Sequence, residues 1–276
     1  MTAAIAGSVR EALMSATAAL AAAGVEGAGL DAELLLAEAT GRDRAGLAAD
    51  PEAGVDAAAA RRFGAMLRRR IQREPLAYIL GRKGFRRIEL EVDSRVLIPR
   101  PETELLVEVA LELEPRTVLD VGTGSGAIAL ALADELPGAA VTGVDVSLEA
   151  LAVARANALR LGLPVELAHG AIQRGRFDLV VANLPYVSEA EWAGLAPEIT
   201  RYEPRGALVA GPSGLEAIAE LLGALSAGSP DAAAVALEVG DRQAATVAEL
   251  VRRAGFERLD VRRDLAGIER VVVGWT

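Results

Sequence analysis

Apolar residues recur at helical spacing three times in the first 75 positions. Residues 8–23 place Val9, Leu13, Ala16 and Leu20 on one side, and a second stretch carries Leu34, Leu35 and Ala39. A third, from about 56 to 72, carries Phe63, Met66, Leu67 and Ile71. Asp31 is expected to cap the second helix and Gly41 to end it. Pro75 breaks the pattern. Gly81-Arg82-Lys83-Gly84 then leads into Phe85, Ile88, Leu90 and Val92, which alternate with charged residues and predict an extended hairpin, closed by Pro99 and Pro101. From about residue 103 strands alternate with helices. Strands are expected over 117–121, 141–146, 165–168, 179–182, 233–239, 259–263 and 270–275, and helices over 127–135, 148–161, 214–225 and 242–254. This alternation argues for an α/β domain with a mainly parallel sheet and helices on both faces. The expected organisation is a small helical domain over 1–80, a hairpin linker over 81–104 and the α/β domain over 105–276. Ligands in such sheets bind outside the carboxyl ends of the strands, where the strand order reverses.

Composition narrows the chemistry. The 276 residues include no Cys, which removes disulfides, thiolate metal sites and a cysteine nucleophile. His169 is the only histidine, so Ser-His-Asp catalysis and multi-histidine metal sites are excluded as expectations, and no metal is expected. The longest uncharged run, 12–25, is 14 residues, below the ~18 of a membrane span. Arg10 and Glu11 interrupt the N-terminal apolar stretch, which disfavours a signal peptide. A cytoplasmic monomer with no membrane partner is the expectation.

Charge is unevenly placed. The net −10 divides into +2 over residues 1–100 and −12 over 101–276, while 61–100 alone carries twelve Lys/Arg against four Asp/Glu. An acidic body suits a phosphate backbone poorly, and 3% aromatic content gives no stacking platform, so no nucleic-acid partner is expected. The basic stretch reads equally as a partner surface or as a solvated helix face and hairpin.

Three strand ends carry candidate chemistry. The first runs Asp120-Val121-Gly122-Thr123-Gly124-Ser125-Gly126 into a helix, where glycines let the backbone approach a ligand and the helix start offers free N–H groups. Asp120 is expected at the mouth, repelling a pyrophosphate and welcoming a cationic ligand such as S-adenosylmethionine. The second strand ends at Asp145, whose carboxylate can accept from a ribose diol, with Val146 against the adenine. The fourth ends in Asn183-Leu184-Pro185-Tyr186. The Asn183 oxygen and the Leu184 carbonyl, aimed by Pro185, can both accept from an –NH₂ group, and Tyr186 can stack on a planar amide or base. Holding both N–H bonds discourages conjugation and turns the lone pair toward a methyl donor, so positioning carries the reaction and no strong base is required.

Residues 117–186 resemble the class I S-adenosylmethionine-dependent methyltransferases. Arg73-Glu74-Pro75-Leu76-Ala77-Tyr78-Ile79-Leu80-Gly81, Val96-Leu97-Ile98-Pro99-Arg100-Pro101-Glu102-Thr103-Glu104, Glu203-Pro204-Arg205-Gly206-Ala207-Leu208 and Gly214-Leu215-Glu216 resemble the HemK/PrmC family, which methylates the glutamine N5 of the GGQ motif in class 1 peptide-chain release factors. The resemblance implies a Rossmann-like, seven-stranded class I methyltransferase domain behind a small N-terminal α-helical domain that docks the protein substrate. It implies that Asp120, Gly122, Thr123, Gly124, Ser125, Gly126, Asp145, Val146 and Asn183 bind S-adenosylmethionine, released as S-adenosylhomocysteine. It also implies that Asn183, Pro185 and Tyr186 are catalytic, and that Leu184, Arg100 and Glu102 join them in holding the substrate.

Departures accompany the match. Leu184 replaces the first Pro of the family's Asn-Pro-Pro-Tyr, and His169-Gly170-Ala171-Ile172 lacks the acidic residue usual near the adenine amine. The stretch from Ala171 to Phe177 is also short. Asn-Leu-Pro-Tyr occurs in ribosomal RNA adenine-N6 methyltransferases too, which leaves that activity as an alternative beside a non-catalytic binding module on the same fold. Those RNA enzymes lack the Ile-Pro-Arg-Pro-Glu-Thr-Glu stretch and generally carry basic surfaces.

Overall fold

Caps written into the sequence set most of the first helices. In the computed structural model, which describes residues 7–276, Ser8 closes a capping box with Glu11 at the start of α1 (Val9–Ala22). The first six residues of the expected helical domain lie outside the described residues. α2 (Ala28–Thr40) ends at Gly41 as expected, but it starts behind Gly27, so Asp31 is not its cap. Asp31 is buried in the first turn, where it takes the Arg70 guanidinium at 2.6 Å. Asp43 and Asp56 cap α3 (Arg44–Ala49) and α4 (Ala57–Ile71), and α5 (Leu76–Leu80) follows Pro75. Leu20, Leu35, Leu36, Leu47 and Phe63 form the core of this helical unit.

The unit is not continuous in sequence. It comprises the chain to Gly81 together with Pro197–Tyr202, a short helix whose Glu198 pairs with Arg70 at 2.9 Å and Arg73 at 2.6 Å. Burial works against the Glu198 charge, yet the hydrogen bonds from Arg73 and Arg70 outweigh it and pull the carboxyl down to about 2.

The second unit, Arg82–Ala196 with Glu203–Thr276, begins with the hairpin β1 (Arg82–Phe85) and β2 (Ile88–Glu91), paired antiparallel. Its tip is tied down. Arg86 reaches Glu135 and Glu108 at 2.8 and 2.9 Å. Arg69, Arg95 and Arg100 also have carboxylate partners, so several cations of the basic stretch are paired within the chain.

After α6 (Glu104–Leu113), which the sequence pattern did not separate from the linker, come β3 (Thr117–Val121), α7 (Ala127–Glu135), β4 (Ala140–Asp145), α8 (Leu148–Leu161), β5 (Val165–His169) and β6 (Arg176–Ala182). β7 (Val187–Ser188) and β8 (Val209–Gly211) pair as a small separate sheet. α9 (Glu216–Ser226), β9 (Asp231–Glu238), α10 (Ala244–Arg253), β10 (Arg258–Arg263) and β11 (Glu269–Trp275) complete the chain. The seven-stranded order is β10-β11-β9-β6-β3-β4-β5. The five strands from β9 to β5 are parallel, whereas β11 and β10 run antiparallel at one edge. Leu119, Val121, Val180, Ala182, Val235 and Leu237 point to one face, where Ile218 and Leu222 of α9 and Val247 and Val251 of α10 bury them. Residues out of step with these point to the other face.

Candidate active site

β3 lies between β4 and β6, so the residues after Val121, Asp145 and Ala182 emerge side by side where the strand order reverses. A cavity of about 470 Å³ opens there, and Gly122, Gly124, Asp145, Val146, Asn183, Leu184 and Pro185 line it. Gly122 has a φ of +75°, and a Cβ on it would stand 3.1 Å from Leu184 Cδ2. The Leu184 side chain thus packs over the loop. Gly126 has a φ of +85°, and its missing Cβ leaves room for Leu130, 2.8 Å from where it would sit.

The loop has an inner and an outer side. Thr123, Ser125 and Gly126 do not line the cavity; they hold the loop from behind. Thr123 donates its hydroxyl proton to Asp120 at 2.7 Å, and the Ser125 carbonyl accepts from the Asn157 amide at 3.0 Å. Asn157, fully buried on α8, also exchanges two hydrogen bonds with the Glu91 backbone, which ties the hairpin to the glycine loop.

Asp120 is not at the mouth. Strand parity sets it out of step with Leu119 and Val121, so it faces α7, where it is fully buried and accepts from the Ala129 N–H at 3.2 Å. Its Oδ1 has no partner. Burial, with the Asp145 charge as a lesser contribution, pushes this carboxyl up to about 7.

Asp145 does face the cavity. Its oxygens accept from the Gly124 and Ser147 N–H groups at 2.9 and 2.8 Å, and a carboxylate with about four acceptor sites keeps one on each oxygen for a ligand. Val146 is 68% exposed beside it, with Ala171 and Ile172 across the same wall. His169 is exposed, its Nε2 lies 3.1 Å from the Val146 carbonyl, and it lines no part of this wall.

A second, small cavity of about 20 Å³ adjoins the first and is lined by Leu97, Arg100, Asn183, Leu184, Tyr186, Ala207 and Leu208. Asn183 donates its Nδ2 to the Thr103 hydroxyl at 3.0 Å. Tyr186 donates its hydroxyl proton to Glu238 Oε1 at 3.4 Å, and burial raises that phenol to about 12. Its backbone carbonyl accepts from Gln243 at 3.0 Å. Arg100 pairs with Glu203, whose other oxygen takes the Ile98 N–H at 3.1 Å. Glu102 departs from the expectation: its side chain is exposed and lines neither cavity, because the turn that points Thr103 inward points Glu102 out.

Sequence reasoning missed Glu238, Gln243 and Asn157, and it missed the pairing of Thr103 with Asn183 and of Glu203 with Arg100. The available signal was a Glu at the end of the otherwise apolar Ala-Val-Ala-Leu strand, where a charge needs a reason.

A family model for the PrmC N-terminal domain matches residues 11–81, and one for a methyltransferase domain matches 118–205. A release factor glutamine methyltransferase of Caulobacter vibrioides is 40% identical over 262 residues, covering 91% of each chain. The chain belongs to this family. Relatives of the same description from Geobacter sulfurreducens and Pseudomonas aeruginosa are 41% and 44% identical, covering 92% and 89% of this chain and 92% and 91% of their own. Family membership makes the chain an enzyme of the methyltransferase class. Among solved structures, the human METTL16 catalytic domain aligns with a TM-score of 0.56 at 16% identity, over 67% of this chain and 75% of that one. A methyltransferase from Pyrococcus furiosus aligns with a TM-score of 0.51 at 19% identity, over 67% and 87%. These two speak for the fold alone. Among the described residues no helix is long and apolar enough to cross a membrane.

Proposed function

We propose that this chain uses S-adenosylmethionine to methylate the side-chain amide nitrogen of the glutamine in the GGQ motif of class 1 release factors, in the cytoplasm. The observation that carries the reading is the Asn183–Thr103 hydrogen bond. With Nδ2 spent on Thr103, the Asn183 oxygen is the group left to accept from an incoming –NH₂.

The donor pocket fits. Gly122 and Gly124 bring bare backbone to the cavity, Asp145 keeps acceptor sites for a diol, and Val146 and Ile172 supply apolar walls for a base. Bound there, S-adenosylmethionine supplies an electrophilic methyl on a sulfonium and departs as S-adenosylhomocysteine. Asn183 Oδ1 and the Leu184 carbonyl each accept one N–H of the amide, and the Tyr186 ring covers its plane. Held this way the nitrogen's lone pair is drawn out of conjugation and aimed at the larger cavity. The surplus proton becomes acidic once the nitrogen is alkylated and leaves to water. Arg100, fixed by Glu203, walls the amide subsite.

One feature favours a protein substrate over RNA: residues 101–276 carry a net −12, which suits a phosphate backbone poorly. The helical unit is read as the part that recognises the body of the release factor. Labelled methyl transfer from S-adenosylmethionine, offered both a purified class 1 release factor and ribosomal RNA, tests the reading. Label on the factor alone supports it; label on the RNA alone sinks it.

A further inference from the structure

Behind the amide subsite lies a buried carboxyl that the mechanism above does not use. Glu238 closes β9 and is 2% exposed. Ala182 of β6 pairs with Leu237 of β9, so one residue further along both chains come Asn183 and Glu238. Parity then sets Glu238 out of step with Leu237, away from the face that α9 and α10 cover.

One hydroxyl meets it: Tyr186 donates to Oε1 at 3.4 Å, and Oε2 has no hydrogen-bond partner. Thr103 sits at the start of α6, where a threonine hydroxyl commonly accepts from the helix backbone, yet it makes no such cap. Its hydroxyl serves Asn183 instead.

Thr103 thus holds Asn183, and Glu238 holds Tyr186. We infer that Glu238 is a positioning residue for methyl transfer: through the Tyr186 hydroxyl it fixes the ring that covers the substrate amide. The inference rests on the reading that Asn183 and Tyr186 hold a carboxamide.

Other charges face the group. Glu102, from the turn before α6, opposes its ionisation, and Arg270 of β11 favours it. Arg100 acts on Tyr186 from the far side. Burial dominates and raises Glu238 to about 7. Ionisation of Glu238 should therefore strengthen its hold on the Tyr186 hydroxyl as pH rises through neutrality.

The test is steady-state methylation of an intact release factor at saturating S-adenosylmethionine by wild type, Glu238→Gln and Glu238→Ala. Donor affinity is measured on each by calorimetry. By analogy with losing one pre-organised polar contact, Glu238→Ala should lower kcat ~10–100-fold while donor affinity stays within about twofold. Glu238→Gln keeps the shape and an acceptor. It should recover part of kcat and lose the rise in kcat between about pH 6 and 8 that is expected of wild type. Wild-type kcat in Glu238→Ala overturns the inference, as does a pH limb kept unchanged in Glu238→Gln. Should Glu238→Ala not fold, Tyr186→Phe breaks the same bond from its other end and keeps the ring, with the same fall in kcat expected and wild-type kcat as the contrary result. The wild-type control separates the two claims: no methyl on glutamine there is a failure of the reaction assigned, whereas methylation matched by every variant is a failure of the role given to Glu238.

Discussion

The Asn183 Nδ2 donates to the Thr103 hydroxyl at 3.0 Å across 80 residues of sequence, and this bond gives the Asn-Leu-Pro-Tyr turn a direction. An amide free to rotate would present a donor as readily as an acceptor. With its donor end held, the oxygen is the end left free to accept, and Asn183 lines the same subsite as Arg100, Leu184 and Tyr186.

Asn183→Ala removes that oxygen and should lower turnover ~10²–10³-fold with donor affinity nearly unchanged, because Asp145 and the glycine loop remain. Asn183→Asp should also be poor. A carboxylate cannot donate to Thr103 as the amide does, so the bond that gives the side chain its direction is lost. Turnover and calorimetric affinity, measured together, check both variants.

The hairpin, the glycine loop and the end of β6 were legible in the sequence because each carries its own local signal. Phe85, Ile88 and Leu90 alternate, three glycines precede an apolar helix, and Pro185 follows shortly after β6. Asp120 was misplaced because a motif tells which strand end a residue belongs to, while parity decides which face it takes. Asp31 was misassigned as a cap because its partner Arg70 lies 39 residues away. Glu238 and Gln243 escaped for the same reason, as did the membership of Pro197–Tyr202 in the helical unit: long-range pairing leaves no local pattern.

Asp120 should make stability fall as pH rises. Its folded pKa of about 7 lies above the usual value of 3.8, so the folded protein holds a proton that the unfolded chain has lost between those two pH values. Asp120→Asn keeps the acceptor for Thr123 and Ala129 without the charge. It should therefore be more stable than wild type at pH 8, by ~1–3 kcal/mol in urea melts, with the difference vanishing below about pH 4.

Glu198 carries the opposite sign. Its folded pKa of about 2 lies below the usual 4.5, so its contribution is complete above pH 4.5 and is lost as pH falls toward 2. Glu198→Ala leaves Arg70, 7% exposed at its side chain, and Arg73 short of a partner. Removing one member of a buried ion pair typically costs ~3–5 kcal/mol, and a thermal melt at pH 7 should show a loss near the lower end, since Arg70 keeps Asp31.

Ala171 stands at the cavity wall with Val146 and Ile172, where a carboxylate would face the adenine edge. Ala171→Asp should tighten S-adenosylmethionine binding by up to ~100-fold, the size of one charge-assisted hydrogen bond. The gain should be absent for an analogue lacking the adenine amine. Equal gains for both would assign the effect to charge alone.

Recognition of the release factor by the helical unit should depend on salt. Exposed charges are screened over ~8 Å at physiological ionic strength. Raising salt should therefore raise KM for the intact factor more than for a short GGQ peptide, and equal changes would contradict a docking role.

The central claim is that Asn183 presents its oxygen to a glutamine amide. Mass spectrometry of a class 1 release factor incubated with S-adenosylmethionine, and with either wild type or Asn183→Ala, addresses it most directly. The account predicts one methyl group on the side-chain nitrogen of the GGQ glutamine with wild type and almost none with the variant. An unmodified glutamine with wild type, or full modification by Asn183→Ala, would contradict it.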